Sequence, residues 1–158
     1  MRAKHSKYLT ARKNESRNNP AFRKAQHRIH LLMNIFLAVI AGEWLIMMLL
    51  EGASWTGAGE ILLALALHFL VETLALHGYA ALGGGIIVVD ELLNAAGLYI
   101  TAQQGHMNWH IWMGVICSVL LLGIALYLIF SRDIQSYAHR AREILRAHYY
   151  ARSGNKAQ

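Results

Sequence analysis

Between Arg28 and Arg132 the chain contains no lysine or arginine, although its 158 residues carry 15 of them and a formal net charge of +6. The excess positive charge is therefore confined to the two ends, and it is no argument for a nucleic-acid-binding surface across the molecule. One cysteine, Cys117, lies inside an apolar run and leaves no basis for a disulfide framework or a cysteine-based metal site. It reads as a small buried hydrophobe. No His-Glu-x-x-His, Gly-x-Ser-x-Gly, phosphate-loop or dinucleotide-binding pattern occurs, so the chain is read as non-enzymatic.

What the chain has in excess is apolar surface. Hydrophobic residues make up 56% of it and the mean hydropathy is +0.31, too apolar for an ordinary soluble domain of this length. Residues 1–28 hold nine bases and one acid, residues 29–131 hold six acids and no base, and residues 132–158 hold six bases and two acids. The apolar stretches predict four spans: His30 to Leu50, Ile61 to about Leu82, Gly84 to Ala102, and Trp109 to Phe130. The first is read as a retained span, not a cleaved leader. The links are Glu51 to Glu60, the triplet Gly83-Gly84-Gly85 taken as a tight reversal, and Gln103 to His106.

Lys and Arg are retained in the cytoplasm, and two basic tails on one side require an even number of crossings. This selects four spans over three and a full third crossing over a re-entrant hairpin. Trp55, Tyr99, Trp109 and Trp112 then fall at the outer boundary, and Tyr79 and Tyr127 near the inner one. The fold expected is all-α: a polytopic four-transmembrane-helix bundle of the cytoplasmic (inner) membrane, with both termini cytoplasmic and the last helix extended into the cytoplasm. The domains follow as a flexible basic tail over 1–18, a four-helix membrane domain over 19–131 that opens with an Asn19-Pro20 helix start, and a basic amphipathic extension over 132–158. In that extension Ile134, Tyr137, Ala138, Ala141, Ile144 and Leu145 recur at helical spacing, with arginines on other faces. Such a helix suits anionic headgroups or a partner's acidic surface.

The informative residues are the polar ones inside the spans: Glu43, His68, Glu72, His77, Asp90, Glu91 and Asn94. No intramembrane Lys or Arg can pair with these acids, so each must be neutral, hydrogen-bonded, wet, or bound to a cation. By helical rise Glu43 and His68 fall toward the outer side, Glu72 and Asn94 near the middle, and His77, Asp90 and Glu91 in the inner third. His68 and Glu72 are four apart and share a face, as do Asp90 and Asn94. The seam is either a device for helix recognition, within this chain or against another, or a proton or cation path. The first gives a non-enzymatic membrane protein that assembles with itself or with other membrane proteins. The alternative is a small ion-conducting protein.

Two ligand sites are also conceivable. At the outer mouth, Glu51, Glu60, His106 and His110 offer carboxylate and imidazole donors for a metal ion, with the two histidines four apart. A haem would need opposed histidines, His68 with His110 or His30 with His77. Two haems are excluded because His68 and His77 point to opposite sides of their helix. The expectation is no cofactor, with a metal ion or one haem as the alternatives, and membrane lipid and membrane proteins as partners.

Overall fold

The computed structural model describes residues 2–51, 55–103 and 109–149, and among them there are six helices and no strand. These are α1 (Arg2–Asn18), α2 (Pro20–Glu51), α3 (Trp55–Leu76), α4 (Ala80–Gln103), α5 (Trp109–Phe130) and α6 (Arg132–Tyr149). Three stretches are long and apolar enough to cross a membrane: Pro20–Leu49, Ala80–Gln103 and Ile111–Phe130. The apolar part of α3, Ile61–Leu76, is shorter. Leu49, Leu62, Leu63, Leu93 and Phe130 are each 69–73% exposed, an apolar perimeter that water would penalise and lipid would not. The chain is a membrane-embedded helical protein.

The α2 start follows its sequence signal. The Asn19 side-chain oxygen accepts the Phe22 amide at 3.1 Å, three residues on, while Pro20 has no amide hydrogen to satisfy. Phe22, Ala25, Ile29, Met33 and Phe36 recur every three or four residues and form one buried stripe. Against it pack Val71 and Ala75 of α3 and Leu121, Ile124, Ala125 and Leu128 of α5. Most of this core lies toward the end of the bundle that carries the basic segments.

The reversal between α3 and α4 is at His77-Gly78-Tyr79 and not at Gly83-Gly84-Gly85. Gly78 has φ +92°, a conformation that L side chains rarely adopt. The triplet lies inside α4, where small size serves packing. A Cβ on Gly84 would stand 2.7 Å from the Ala125 carbonyl oxygen, and one on Gly83 would stand 3.2 Å from Val71 Cγ1. Close approach of helix backbones is what small residues supply in lipid, where no hydrophobic force drives helices together.

Within residues 1–18, expected as a flexible tail, Arg2–Asn18 instead form α1. Its anchors are tertiary and hence invisible to local pattern. Tyr8 is fully buried and stacks on His77 at 5.5 Å, and Glu15 accepts two hydrogen bonds from Arg140 of α6, at 3.0 and 3.4 Å. The Arg140 guanidinium holds the Glu15 carboxyl below its usual range.

The last helix does not run on unbroken from the fourth span either. Ser131 separates α5 from α6, and the Gln135 side-chain amide donates to the Leu128 and Ile129 carbonyls at 3.0 and 2.8 Å, serving acceptors freed at the α5 terminus. α6 then turns its apolar face, Ile134, Tyr137, Ala138 and Ala141, onto the basic end of the bundle. The Tyr137 hydroxyl donates to the Leu76 carbonyl at the α3 terminus (3.0 Å), its ring meets Phe22 at 4.5 Å, and Arg28 of α2 pairs with Asp133.

Burial pushes the Tyr137 phenol from 10.0 up to about 12. The folded state prefers the neutral phenol, so its contribution is complete below the unfolded value and is lost as pH rises from 10 through about 12. That preference corresponds to about 3 kcal/mol. An alkaline titration should show loss of α6 amide protection in that window, coincident with one tyrosinate absorbance step that Tyr137→Phe abolishes. Release of α6 at the same pH in Tyr137→Phe would refute the assignment.

Candidate functional site

Each of the helices α2 to α5 places polar side chains inside the bundle, in two groups. In the first, Glu72 of α3 is the hub. Its Oε1 lies 2.8 Å from His30 Nδ1 on α2, and its Oε2 lies 3.8 Å from His68 Nε2 one turn away on its own helix. His68 is 4% exposed, stacks on Phe36 at 5.9 Å, and leaves its Nδ1 buried without a partner. Glu72 is half-buried and His30 is more open. The arrangement is a two-histidine, one-carboxylate chain running from the rim of the basic end toward the interior. A carboxylate flanked by two imidazoles can hold a proton shared with either ring, which is the physical requirement for passing one along.

The second group lies farther from the basic end, where α2, α4 and α5 meet. Cys117 of α5 is buried, with the Glu43 carboxyl of α2 as a hydrogen-bond partner and Glu91 of α4 close enough to act on it electrostatically. Glu91 is 3% exposed and its Oε2 has no partner. One turn beyond, Asn94 donates to the buried Ser118 hydroxyl at 3.1 Å. Leu98 continues that face against Gly114, where an added Cβ would stand 3.0 Å from Leu98 Cδ2. α4 and α5 thus pack closely along their length, with polar groups between them.

The new helix boundaries move several residues. With α3 ending at Leu76, Glu72 lies about one turn from the basic end and not at mid-depth, and His68 lies nearer the middle. With α4 starting at Ala80, Asp90 and Glu91 lie near its middle and not in its inner third. His77 is in the turn, its Nδ1 2.7 Å from the Thr73 carbonyl and its ring on Tyr8. It is part of the cap, not of the seam. Asp90, expected to turn inward, is exposed, beside Val89, Leu92 and Leu93 at 59%, 61% and 69%. The inward acid is its neighbour, because Gly84, Ile87 and Glu91 share the packing face of α4.

Two contributors escaped the sequence reading as site residues, Cys117 and Ser118, and a third, His30, entered it only as a conceivable haem ligand. His30 looked like a boundary residue, and Cys117 has no charged residue within a turn of its own helix; both meet their acids across helices. Of the proposed outer-mouth metal ligands, His106 lies outside the described residues, and Glu51, Glu60 and His110 lie within α2, α3 and α5 with their side chains outside the description. Among the described residues no group of three His, Cys, Asp or Glu side chains is arranged to hold a metal ion. Of the haem pairs, the His30 ring is hydrogen-bonded to Glu72, and the His77 ring meets the Thr73 carbonyl and stacks on Tyr8. No protein-family model, curated protein or solved structure matches the chain.

Proposed function

We propose that this protein is a non-enzymatic subunit of a membrane assembly, formed with further copies of itself or with other membrane proteins. In this reading it crosses the inner membrane four times, with both basic tails in the cytoplasm. The observation that carries the reading is Asp90. A carboxyl group at mid-helix, beside the exposed Val89, Leu92 and Leu93 and with Asn94 one turn on, costs about 2.5–3.5 kcal/mol on insertion. Asp90 has no hydrogen-bond partner among the described residues. A helix from another subunit, presenting a donor there, removes that cost and fixes the register of the contact.

The reading makes an unusual joint prediction for Asp90→Leu: the single chain inserts more readily, yet its assembly is lost. A photo-crosslinking residue at Leu93, one turn away, should give a discrete protein adduct in native membranes and lose it when Asp90→Leu is added. Lipid adducts alone, the same with and without Asp90→Leu, would end the proposal.

A second reading, a small proton-conducting protein, is favoured by the His30–Glu72–His68 chain. Glu91 and the Glu43–Cys117 pair would be its later stations.

A further inference from the structure

Where α1 meets the start of α2, a groove of about 470 Å3 opens at the surface of the basic end. Arg12, Lys13 and Arg17 of α1 and Arg23 of α2 line it, with Gln26 and Leu9, and no acid does. Four cations drawn together without a counter-charge repel one another, and the fold has little with which to answer them. Only three acids lie outside residues 29–131: Glu15, Asp133 and Glu143. All are engaged elsewhere, Glu15 and Glu143 by Arg140 and Asp133 by Arg28. Arg12 also bonds to the Tyr137 hydroxyl, whereas Lys13, Arg17 and Arg23 have no carboxylate partner among the described residues. The Gln26 side-chain oxygen is buried in this wall without a hydrogen-bond partner.

Position narrows the ligand. Gln26 precedes by about one turn the residues where α2 becomes apolar. Leu9, which also lines the groove, follows Tyr8, whose ring rests on His77 in the α3–α4 turn. Gln26 and Leu9 therefore both place the groove where the bundle leaves its apolar layer, at headgroup level. Leu9 is 46% exposed and gives this cationic groove an apolar lip. Guanidinium forks match phosphate oxygens in pairs, and an ammonium adds a further point charge.

We propose that this groove binds the phosphate of an anionic phospholipid headgroup, with the lipid's chains leaving past Leu9. The inference rests on the membrane-embedded reading but not on any partner protein, so its test needs the full chain alone.

Native mass spectrometry of the protein in mild detergent, with chain-matched phosphatidic acid and phosphatidylcholine, measures the preference directly. One phosphatidic acid should be retained preferentially, and Lys13→Gln, Arg17→Gln and Arg23→Gln together should lower that preference roughly tenfold or more. The same charge removed elsewhere, as Lys24→Gln, Arg132→Gln and Arg146→Gln, should leave it unchanged. Arg17→Glu alone, with helicity checked by circular dichroism, repeats the test without a triple change. Inorganic phosphate at millimolar concentration should not displace the lipid. Equal losses in the two triple variants would reduce the effect to diffuse charge. Unchanged preference in the groove variants, or displacement by inorganic phosphate, would equally overturn the proposal, the latter by marking a site for soluble phosphate.

Discussion

Gly78→Val is expected to undock α6 and α1 from the bundle while leaving α2 to α5 inserted. The backbone at Gly78 has φ +92°, and a Cβ there would sit 2.5 Å from the Ala138 carbonyl oxygen and 3.1 Å from the Arg142 amide nitrogen. These neighbours are main-chain atoms of a helix and cannot rotate aside. Conformational strain alone costs about 1–2 kcal/mol, and the steric term brings the total to roughly 3 kcal/mol or more. Separation of α6 gives up the Tyr137–Leu76 bond and uncovers Tyr8, so the loss should be cooperative. Hydrogen exchange should show α6 and α1 losing protection together. Gly85→Ala and Gly123→Ala, where no atom lies within 4 Å of the added Cβ, should leave exchange as in the wild type. Protection retained over α6 in Gly78→Val would mean that the turn can be rebuilt, and the cap would then not depend on it.

At Glu72 the expected result is retention of the fold by glutamine and loss by leucine. Glutamine keeps an acceptor for His30 Nδ1–H at 2.8 Å and places an amide donor 3.8 Å from His68 Nε2, where the carboxylate oxygen stood. Leucine removes the His30 hydrogen bond and leaves the buried His68 ring with no polar neighbour at Nε2, at about 1–3 kcal/mol for a buried polar group. Thermal unfolding in detergent should thus rank wild type close to Glu72→Gln and well above Glu72→Leu. The glutamine variant also separates the two functional readings, because an amide cannot exchange a proton with either ring. In vesicles with an imposed pH gradient, flux in the wild type that Glu72→Gln brings to the protein-free level would establish a conduit. The assembly reading expects no flux from either protein. A Glu72→Gln protein that unfolds like Glu72→Leu would show that the charge, and not the hydrogen bonding, holds these helices.

The helical class and the apolar stretches were legible because they are set by composition over twenty residues at a time. The Asn19-Pro20 start was legible because capping is local chemistry. The reversal was not, since three glycines in a row have two physical uses: positive φ and close packing. In this chain the turn needs one glycine, Gly78, while Gly83 and Gly84 serve the contacts with α3 and α5. Helix α1 was illegible for another reason, since a polar segment with one buried aromatic has no stripe to read. In the candidate site His68 and Glu72 could be paired from their spacing alone. Asp90 and Glu91 could not be told apart, because adjacent helical residues differ by about 100° and only the neighbouring helix decides which faces inward. His30 and Cys117 acquire their roles from acids on other helices, and spacing along one helix carries no trace of such pairs.

The bond between Glu15 and Arg140 joins residues 125 positions apart. During synthesis α1 emerges before α2 to α5 and its partner α6 after them, so the closed form of the basic end has no meaning until α6 has been made. Insertion of the spans can proceed helix by helix, but Tyr8 has no complete seat until α6 arrives beneath it. Biogenesis thus divides into an early phase governed by each helix's own hydropathy and a late one governed by a single long-range closure. Truncation anywhere before α6 would leave inserted helices with an open end.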